Sequence, residues 1–233
     1  MAAGTGSRLR PLTLDAPKCL TIVAGKSILQ RLLDTFRTHG INKLIIATGY
    51  LEQRVREYLN EHASDMTIEY VFNPDYQTTN NIYSLWLTRL AINEPFVLIE
   101  SDLVFDTEMF QDMVQPGRIA VSETLPWMNG TTLSLNDNNI VSTFYMSANP
   151  SQSQHYKTVN ICSLGLEDWY KVLDKLDYYI STKNLNSYYE VVLSDLVANK
   201  TLMLEAVMFE KNRWYEIDTL EDLHAADQLL NHN

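Results

Sequence analysis

The stretch Gly4-Thr5-Gly6-Ser7-Arg8 sets small residues beside a fixed cation at the start of the chain. Glycines let backbone N–H groups approach phosphate oxygens closely, and the planar fork of Arg8 can clamp a polyphosphate. The segment is not a dinucleotide fingerprint, because Leu9 stands where the third glycine belongs. It is not a P-loop either, because no Gly-Lys-Ser/Thr follows. Eight residues separate Arg8 from Pro17-Lys18, and a lysine there puts a compact charge near an α-phosphate, where charge develops during transfer. Arg10 reads as a solvated cation. Two acids complete the set. Asp102 follows the apolar run Phe96–Glu100, and Asp218 follows Trp214–Ile217. Both carboxylates therefore project from strand ends, where α/β proteins bind ligands. Such a pair can hold Mg²⁺ against a triphosphate, since that ion takes one or two protein carboxylates plus phosphates and water. Asp106 reads as a cap or a solvated acid.

Charge and composition narrow the classes. The 233 residues carry 18 basic and 29 acidic side chains, a net charge of −11, which argues against a nucleic-acid partner. Residues 1–26 hold four basic side chains against Asp15 alone. One basic, glycine-rich start in an acidic protein suggests a small anionic ligand bound there. Hydrophobic residues make up 45%, which excludes collagen-like, low-complexity and wholly disordered chains. Cys19 and Cys162 have no metal-ligand spacing and form no disulfide framework, so a cytoplasmic protein is expected. No apolar run reaches membrane-spanning length.

These side chains need a scaffold, and the pattern predicts one. A helix over 27–40 is capped by Ser27, striped by Ile28, Leu29, Leu32, Leu33 and Phe36, and ended by Gly40. A buried strand over 43–49, a helix over 51–61, a strand over 67–72, a helix over 82–91 and a strand over 96–100 follow. This alternation signals an α/β fold, a mixed, mostly parallel central sheet with helices on both faces. After residue 117 the rhythm shifts to short strands over 118–122, 130–135, 140–145 and 159–164, with a hairpin turn at Asn136-Asp-Asn-Asn139. The polar segment 146–155 is expected to be a mobile loop. Helices over 167–180 and 188–198, strands over 203–209 and 214–217, and a helix over 219–230 capped by Thr219 and Asp222 close the chain. One domain is expected, with a nucleotide-binding half over 1–116, a smaller β-rich acceptor lobe over 117–210, and a closing strand and helix over 211–233. Met1–Gly6 reads as the loop after a strand with no strand before it. A native first strand of about five or six apolar residues is therefore expected to be missing from this chain.

The run Ala2-Ala3-Gly4-Thr5-Gly6-Ser7-Arg8 with its spaced Pro17-Lys18 resembles the signature of the sugar-nucleotidyltransferase superfamily, enzymes that join a nucleoside triphosphate to a phosphorylated small molecule. Asn80-Asn81-Ile82-Tyr83-Ser84-Leu85, Tyr188-Tyr189-Glu190 and Trp214-Tyr215-Glu216-Ile217-Asp218 resemble bacterial choline-phosphate cytidylyltransferases over nearly the whole chain. Glu100-Ser101-Asp102-Leu103 is also similar to 2-aminoethylphosphonate cytidylyltransferases. The Ser-Asp-Leu context, in place of the Gly-Asp-Asn of many sugar enzymes, weakens a sugar-phosphate assignment. The resemblance implies CTP or another nucleoside triphosphate as donor and Mg²⁺ held by Asp102 and Asp218. It implies Lys18 and Arg8 as catalytic cations, and a nucleotide site made from Ala2, Ala3, Gly4, Thr5, Gly6, Lys18, Asn80 and Ser84. It further implies an acceptor site with Lys157 on the phosphate, Asn160 supporting it, and Tyr83, Tyr189 and Glu190 toward a cation. Trp86 reads as core. The competing readings are a 2-aminoethylphosphonate enzyme, a sugar-1-phosphate enzyme and an inactive nucleotide-binding module. A homodimer or a fusion to a further enzyme domain is compatible with each.

Overall fold

The computed structural model describes residues 1–125, 128–146 and 155–231. Most of the segment 146–155, expected as a mobile loop, lies outside the described residues. In chain order the strands and α-helices are β1 Ile22–Val23, β2 Lys26–Ser27, α1 Ile28–Thr38, β3 Lys43–Thr48, α2 Glu52–His62, β4 Thr67–Phe72, α3 Asn81–Leu87, β5 Phe96–Ile99 and β6 Leu103–Phe105. There follow β7 Arg118–Glu123, β8 Thr132–Leu135, β9 Val141–Tyr145, β10 Tyr156–Leu164, α4 Leu166–Ser181, α5 Glu190–Ala198, β11 Glu205–Met208, β12 Trp214–Glu216 and α6 Leu220–Asn231. Short 3₁₀ turns cover Ser7–Leu9, Lys18–Leu20, Thr88–Leu90 and Thr107–Val114.

The sheet system is mixed, as expected, but its strand pairings are mostly antiparallel rather than mostly parallel, because β10 runs against β5, β7 and β8. β3 and β4 run parallel, and Ala2 adds a parallel bridge to Thr48. The larger sheet has the order β11-β7-β10-β8-β9, with β5 also paired to β10. β10 is antiparallel to β5, β7 and β8, and β11 is parallel to β7. Side chains alternate between two core layers, which is why these strands read as continuous apolar runs. On β7, Ile119 and Val121 enter one layer with α3, α4 and α5, while Ala120 enters the other with α1 and α2. Leu98 and Ile99 divide in the same way on β5. A small third cluster joins Leu9, Val23, Ile28, Val104, Ile217 and Ala226. The two cysteines lie buried in different layers, and burial pushes each thiol up to about 12, so both behave as packing groups.

The caps hold as read. Ser27 Oγ accepts from Gln30 N at 3.1 Å, which satisfies one of the free donors of the first turn of α1. At the start of α6, Asp222 Oδ2 accepts from Thr219 N while Thr219 Oγ1 accepts from Asp222 N. This is a capping box closed by an aspartate. β6 was not anticipated from the sequence, and neither were the two-residue strands β1 and β2.

Trp169 sits at the first turn of α4, fully buried, with its ring edge-on to Phe96 at a centroid distance of 5.2 Å. Its indole N–H has no hydrogen-bond partner among the described residues, so the residue contributes apolar area rather than a polar anchor. Trp169→Ala should cost about 3–5 kcal/mol. Trp169→Phe should lose less than half of that, because the unpaired N–H goes with the excess volume. Urea unfolding midpoints at unchanged m-value give the comparison; equal losses in the two variants would mean the indole N–H is in fact bonded.

Candidate functional site

The site begins at the glycine-rich loop. Gly6 has φ +59°, and a Cβ there would stand 3.1 Å from both Lys18 Cβ and Thr13 Cγ2. A side chain would therefore be strained in backbone and crowded against the lysine it helps position. Thr13 Oγ1 donates to Gly6 O at 2.8 Å, and Tyr50 Oη donates to Thr13 O and Leu14 O, which ties the loop down. On the other side, Ala3 O accepts from Tyr50 N. A Cβ on Gly49 would lie 2.7 Å from that same carbonyl, so only glycine allows this approach.

Lys18 opens a 3₁₀ turn after Pro17, and its Nζ donates to Asp102 Oδ2 and to Asp218 Oδ1, each at 2.7 Å. Arg8 Nη2 reaches Asp218 Oδ1 at 2.8 Å. The two acids meet because β12 pairs antiparallel with β6, Glu216 opposite Leu103, and Ile217 N donates to Asp102 O at 2.9 Å. Lys18, Asp102 and Asp218 are about 15% exposed, whereas Arg8 is 63% exposed. Burial disfavours the charged lysine, but the two carboxylates outweigh it and hold the Lys18 pKa above its ordinary value.

These side chains open onto a cavity of about 280 Å³ lined by Ala2, Ala3, Gly4, Thr5, Gly6, Arg8, Lys18, Asn80, Ser84, Asp102 and Asp218. All of the residues assigned to nucleotide and metal thus border one space. The acceptor set does not. Tyr189 is 2% exposed and belongs to the core, and it is the neighbouring Tyr188 that lines the cavity. Tyr83 stacks on Trp86 at 5.6 Å. Trp86 itself is only partly buried, with Arg89 over its face and its N–H donated to Asp177. A separate cleft of about 350 Å³ between β3 and β5 is apolar. Its one ion pair among the described lining residues, Lys43 with Glu94 at 2.7 Å, is a single surface contact far from any glycine-rich loop, so the chemistry of the lining selects the smaller cavity.

From the cavity wall, where Asn81 and Glu100 border the space, a polar layer runs inward that the sequence only partly indicated. Glu100 Oε1 accepts from Asn81 Nδ2 at 3.0 Å, and Asn81 Oδ1 accepts from Tyr189 N. Lys157, 3% exposed, pairs with Glu216 Oε2 at 3.3 Å and donates to Thr158 O. Asn160 has φ +58° at a bulge where four residues of β10 span two of β7. Its side chain donates to Glu216 and accepts from Thr158. Glu190 Oε1 accepts from Thr131, while its buried Oε2 has no partner. Burial pushes the Glu100 carboxyl well above the usual carboxylate range, with Asp102, Glu190 and Glu216 adding to it. Burial likewise raises Glu190 and Glu216. Glu100 and Glu216 were not chosen from the sequence, although each stands two residues before a chosen aspartate and so on the same face of extended chain.

The donor set suits a hard divalent cation. One oxygen of each aspartate already reaches a single point, the Lys18 nitrogen, and Asp102 Oδ1 is buried without a partner. Among the described residues no group of three or more Asp, Glu, His or Cys side chains forms a protein-only metal cage. Two carboxylates completed by phosphate and water are what Mg²⁺ takes. Among the described residues no helix is long and apolar enough to cross a membrane.

The chain is similar in sequence and in fold to known proteins. A family model described as nucleotidyl transferase matches residues 1–123. The chain is 28% identical, over 97% of its length, to a CMP-5'-(3-aminopropyl)phosphonate synthase of Streptomyces rubellomurinus, of which it spans only 37%. It is 27% identical to a choline-phosphate cytidylyltransferase of Streptococcus pneumoniae, covering 99% of this chain and 96% of that one. The solved structure of a CTP:phosphocholine cytidylyltransferase from Streptococcus pneumoniae superposes with a TM-score of 0.84 at 25% identity, covering 98% of this chain and 96% of the other.

Lys157→Met should cost about 2–4 kcal/mol, because it strands Glu216 beside a buried layer. The double variant Lys157→Met with Glu216→Gln should recover part of that loss. Thermal and urea unfolding of the two variants check this, and no recovery in the double variant would show that the two side chains act independently.

Proposed function

The chain belongs to the nucleotidyl transferase family, and on that premise we propose that it transfers a cytidylyl group from CTP to a small phosphorylated amine. Choline phosphate or a close aminoalkylphosphonate is the acceptor, and pyrophosphate is released. The observation that carries the reading is the meeting of Lys18, Asp102 and Asp218 at the mouth of a glycine-loop cavity. In this reading the backbone of Gly4 to Gly6 receives the phosphates. Ala2, Ala3, Asn80 and Ser84 border the base, and Arg8, exposed beside the cavity, clamps the polyphosphate. An acceptor phosphate or phosphonate oxygen attacks the α-phosphorus in line, and its new bond forms as the bond to pyrophosphate breaks. Lys18 neutralises charge at the α-phosphate. A bound Mg²⁺ supplies charge neutralisation for the leaving pyrophosphate, and Asp102 and Asp218 would hold it. Catalysis is positioning and charge, with no covalent intermediate.

The amine is favoured by the acids of the polar layer. Glu190 and Glu216 share the charge of one lysine, Lys157, Glu100 lies beside both acids, and Glu190 keeps a buried oxygen with no partner among the described residues. A cationic group would favour ionisation of these buried carboxyls, whereas a sugar phosphate would oppose it. The names of both relatives, one acting on an aminopropylphosphonate and one on choline phosphate, point the same way.

Asp102→Asn and Asp218→Asn should each lower kcat by about 10³-fold or more with the fold intact. The double variant should be little worse than the poorer single one, because both acids serve one cation. Pyrophosphate release from CTP, choline phosphate and Mg²⁺ is the assay. Near-normal rates in either single variant remove the paired-carboxylate reading, and no release by the wild type with any acceptor would leave a nucleotide-binding module.

Glu190→Gln should raise KM for choline phosphate and leave KM for CTP unchanged. Tyr83→Leu should raise the acceptor KM about 2–30-fold, and an unchanged KM removes Tyr83 from the acceptor site. The comparison is kcat/KM for choline phosphate against glucose 1-phosphate in wild type and both variants. A wild-type preference for the sugar phosphate ends the amine reading.

A further inference from the structure

We propose that Lys18 occupies the divalent-cation position of this site until the phosphates of a nucleotide draw it away, so that lysine and cation exclude each other at the Asp102–Asp218 pair. The inference rests on the reading of those two acids as the cation's ligands.

Lys18 Nζ takes one oxygen from each carboxylate, both at 2.7 Å. The second oxygen of Asp102 is closed to solvent, so a cation entering from the cavity meets Asp102 at Oδ2, the oxygen the ammonium already holds. On Asp218, Oδ1 is taken twice, by Lys18 and by Arg8 at 2.8 Å. A dication bound to the same two oxygens would stand against the ammonium with nothing between them, and like charges in contact at a site this buried repel strongly.

Charge bookkeeping gives the same answer. Arg8 and Lys18 balance Asp102 and Asp218, so these four side chains are neutral together. A dication alone unbalances them by two charges. A dication arriving with a triphosphate does not, because the phosphates offer both cations new oxygens. Lys18 can make that move without backbone change, since its charge rides on four rotatable carbons. The ammonium thus keeps the two carboxylates apart from each other's repulsion while the cation is absent, and it reaches the phosphates when the cation takes over. Cation and nucleotide then bind with positive coupling, each favouring the other by the same factor.

The test is direct binding of Mn²⁺ to nucleotide-free protein, read from the electron paramagnetic resonance signal of the free ion. Wild type should bind weakly, and Lys18→Met and Lys18→Gln should each bind about tenfold tighter or more. Adding Asp218→Asn to Lys18→Met should abolish the gain. Circular dichroism and melting curves establish that the variants are folded. If neither lysine variant folds, the wild-type titration alone still decides, because saturation at micromolar Mn²⁺ without nucleotide overturns the exclusion. Equal affinity in wild type and variants overturns it as well, and leaves the carboxylate pair standing as a cation site. No binding by any of these proteins, with or without CTP, removes the cation site itself and this proposal with it.

Discussion

Three residue pairs between β6 and β12 set the geometry on which the site depends. Trp214 lies opposite Phe105, Tyr215 opposite Val104 and Glu216 opposite Leu103, and the backbone bond from Ile217 to Asp102 extends the ladder by one step. Each ladder residue brings its neighbour to the same end, so Asp102 and Asp218 emerge side by side from segments more than a hundred residues apart. A slip of one residue would turn every side chain of β12 to the opposite face. The register holds because Trp214, Leu103, Val104 and Phe105 are all buried, in two different clusters. The entropy of closing so long a loop grows only slowly with its length, and these apolar anchors offset it.

The polar layer that leads inward from the cavity runs against stability. Glu100, Glu190 and Glu216 are raised by burial, so the folded chain keeps protons that the unfolded chain releases in the same pH range. Their effect on stability therefore worsens as pH climbs from the ordinary carboxylate value toward each raised one. Lys157, Asn81, Asn160 and Thr131 offset part of this by hydrogen bonds and charge. The left-handed backbone at Asn160 belongs to the same arrangement, since the bulge turns its amide toward Glu216. Strain and buried acid are gathered where a ligand would relieve them, which is how functional sites commonly differ from the rest of a core.

Much of this was legible in the sequence, and the failures have definite causes. The helices and longer strands declared themselves by period, because α1 shows one apolar stripe and β3, β5 and β7 are apolar on both faces. The loop, Lys18 and the two aspartates were readable because each is a polar residue at a punctuated strand or turn end. β6 was lost because Leu103-Val-Phe105 is three residues long, too short to show any period. Glu100 and Glu216 were lost because an acid near the end of an apolar strand looks like an edge residue until burial is known. The choice between Tyr188 and Tyr189 depends on the phase of the turn into α5, and adjacent identical residues leave no mark of which one faces inward.

Holding Lys18 between two carboxylates also governs its reactivity. An amine attacks phosphorus only through a free lone pair, and a lysine with a raised pKa is protonated at every physiological pH. The neutral, nucleophilic form is thereby kept scarce at the place where a lysine would lie nearest to an electrophilic phosphate. The carboxylates keep the ammonium protonated until the nucleotide arrives, and the phosphate oxygens that then receive it do the same, which leaves the incoming acceptor as the available nucleophile.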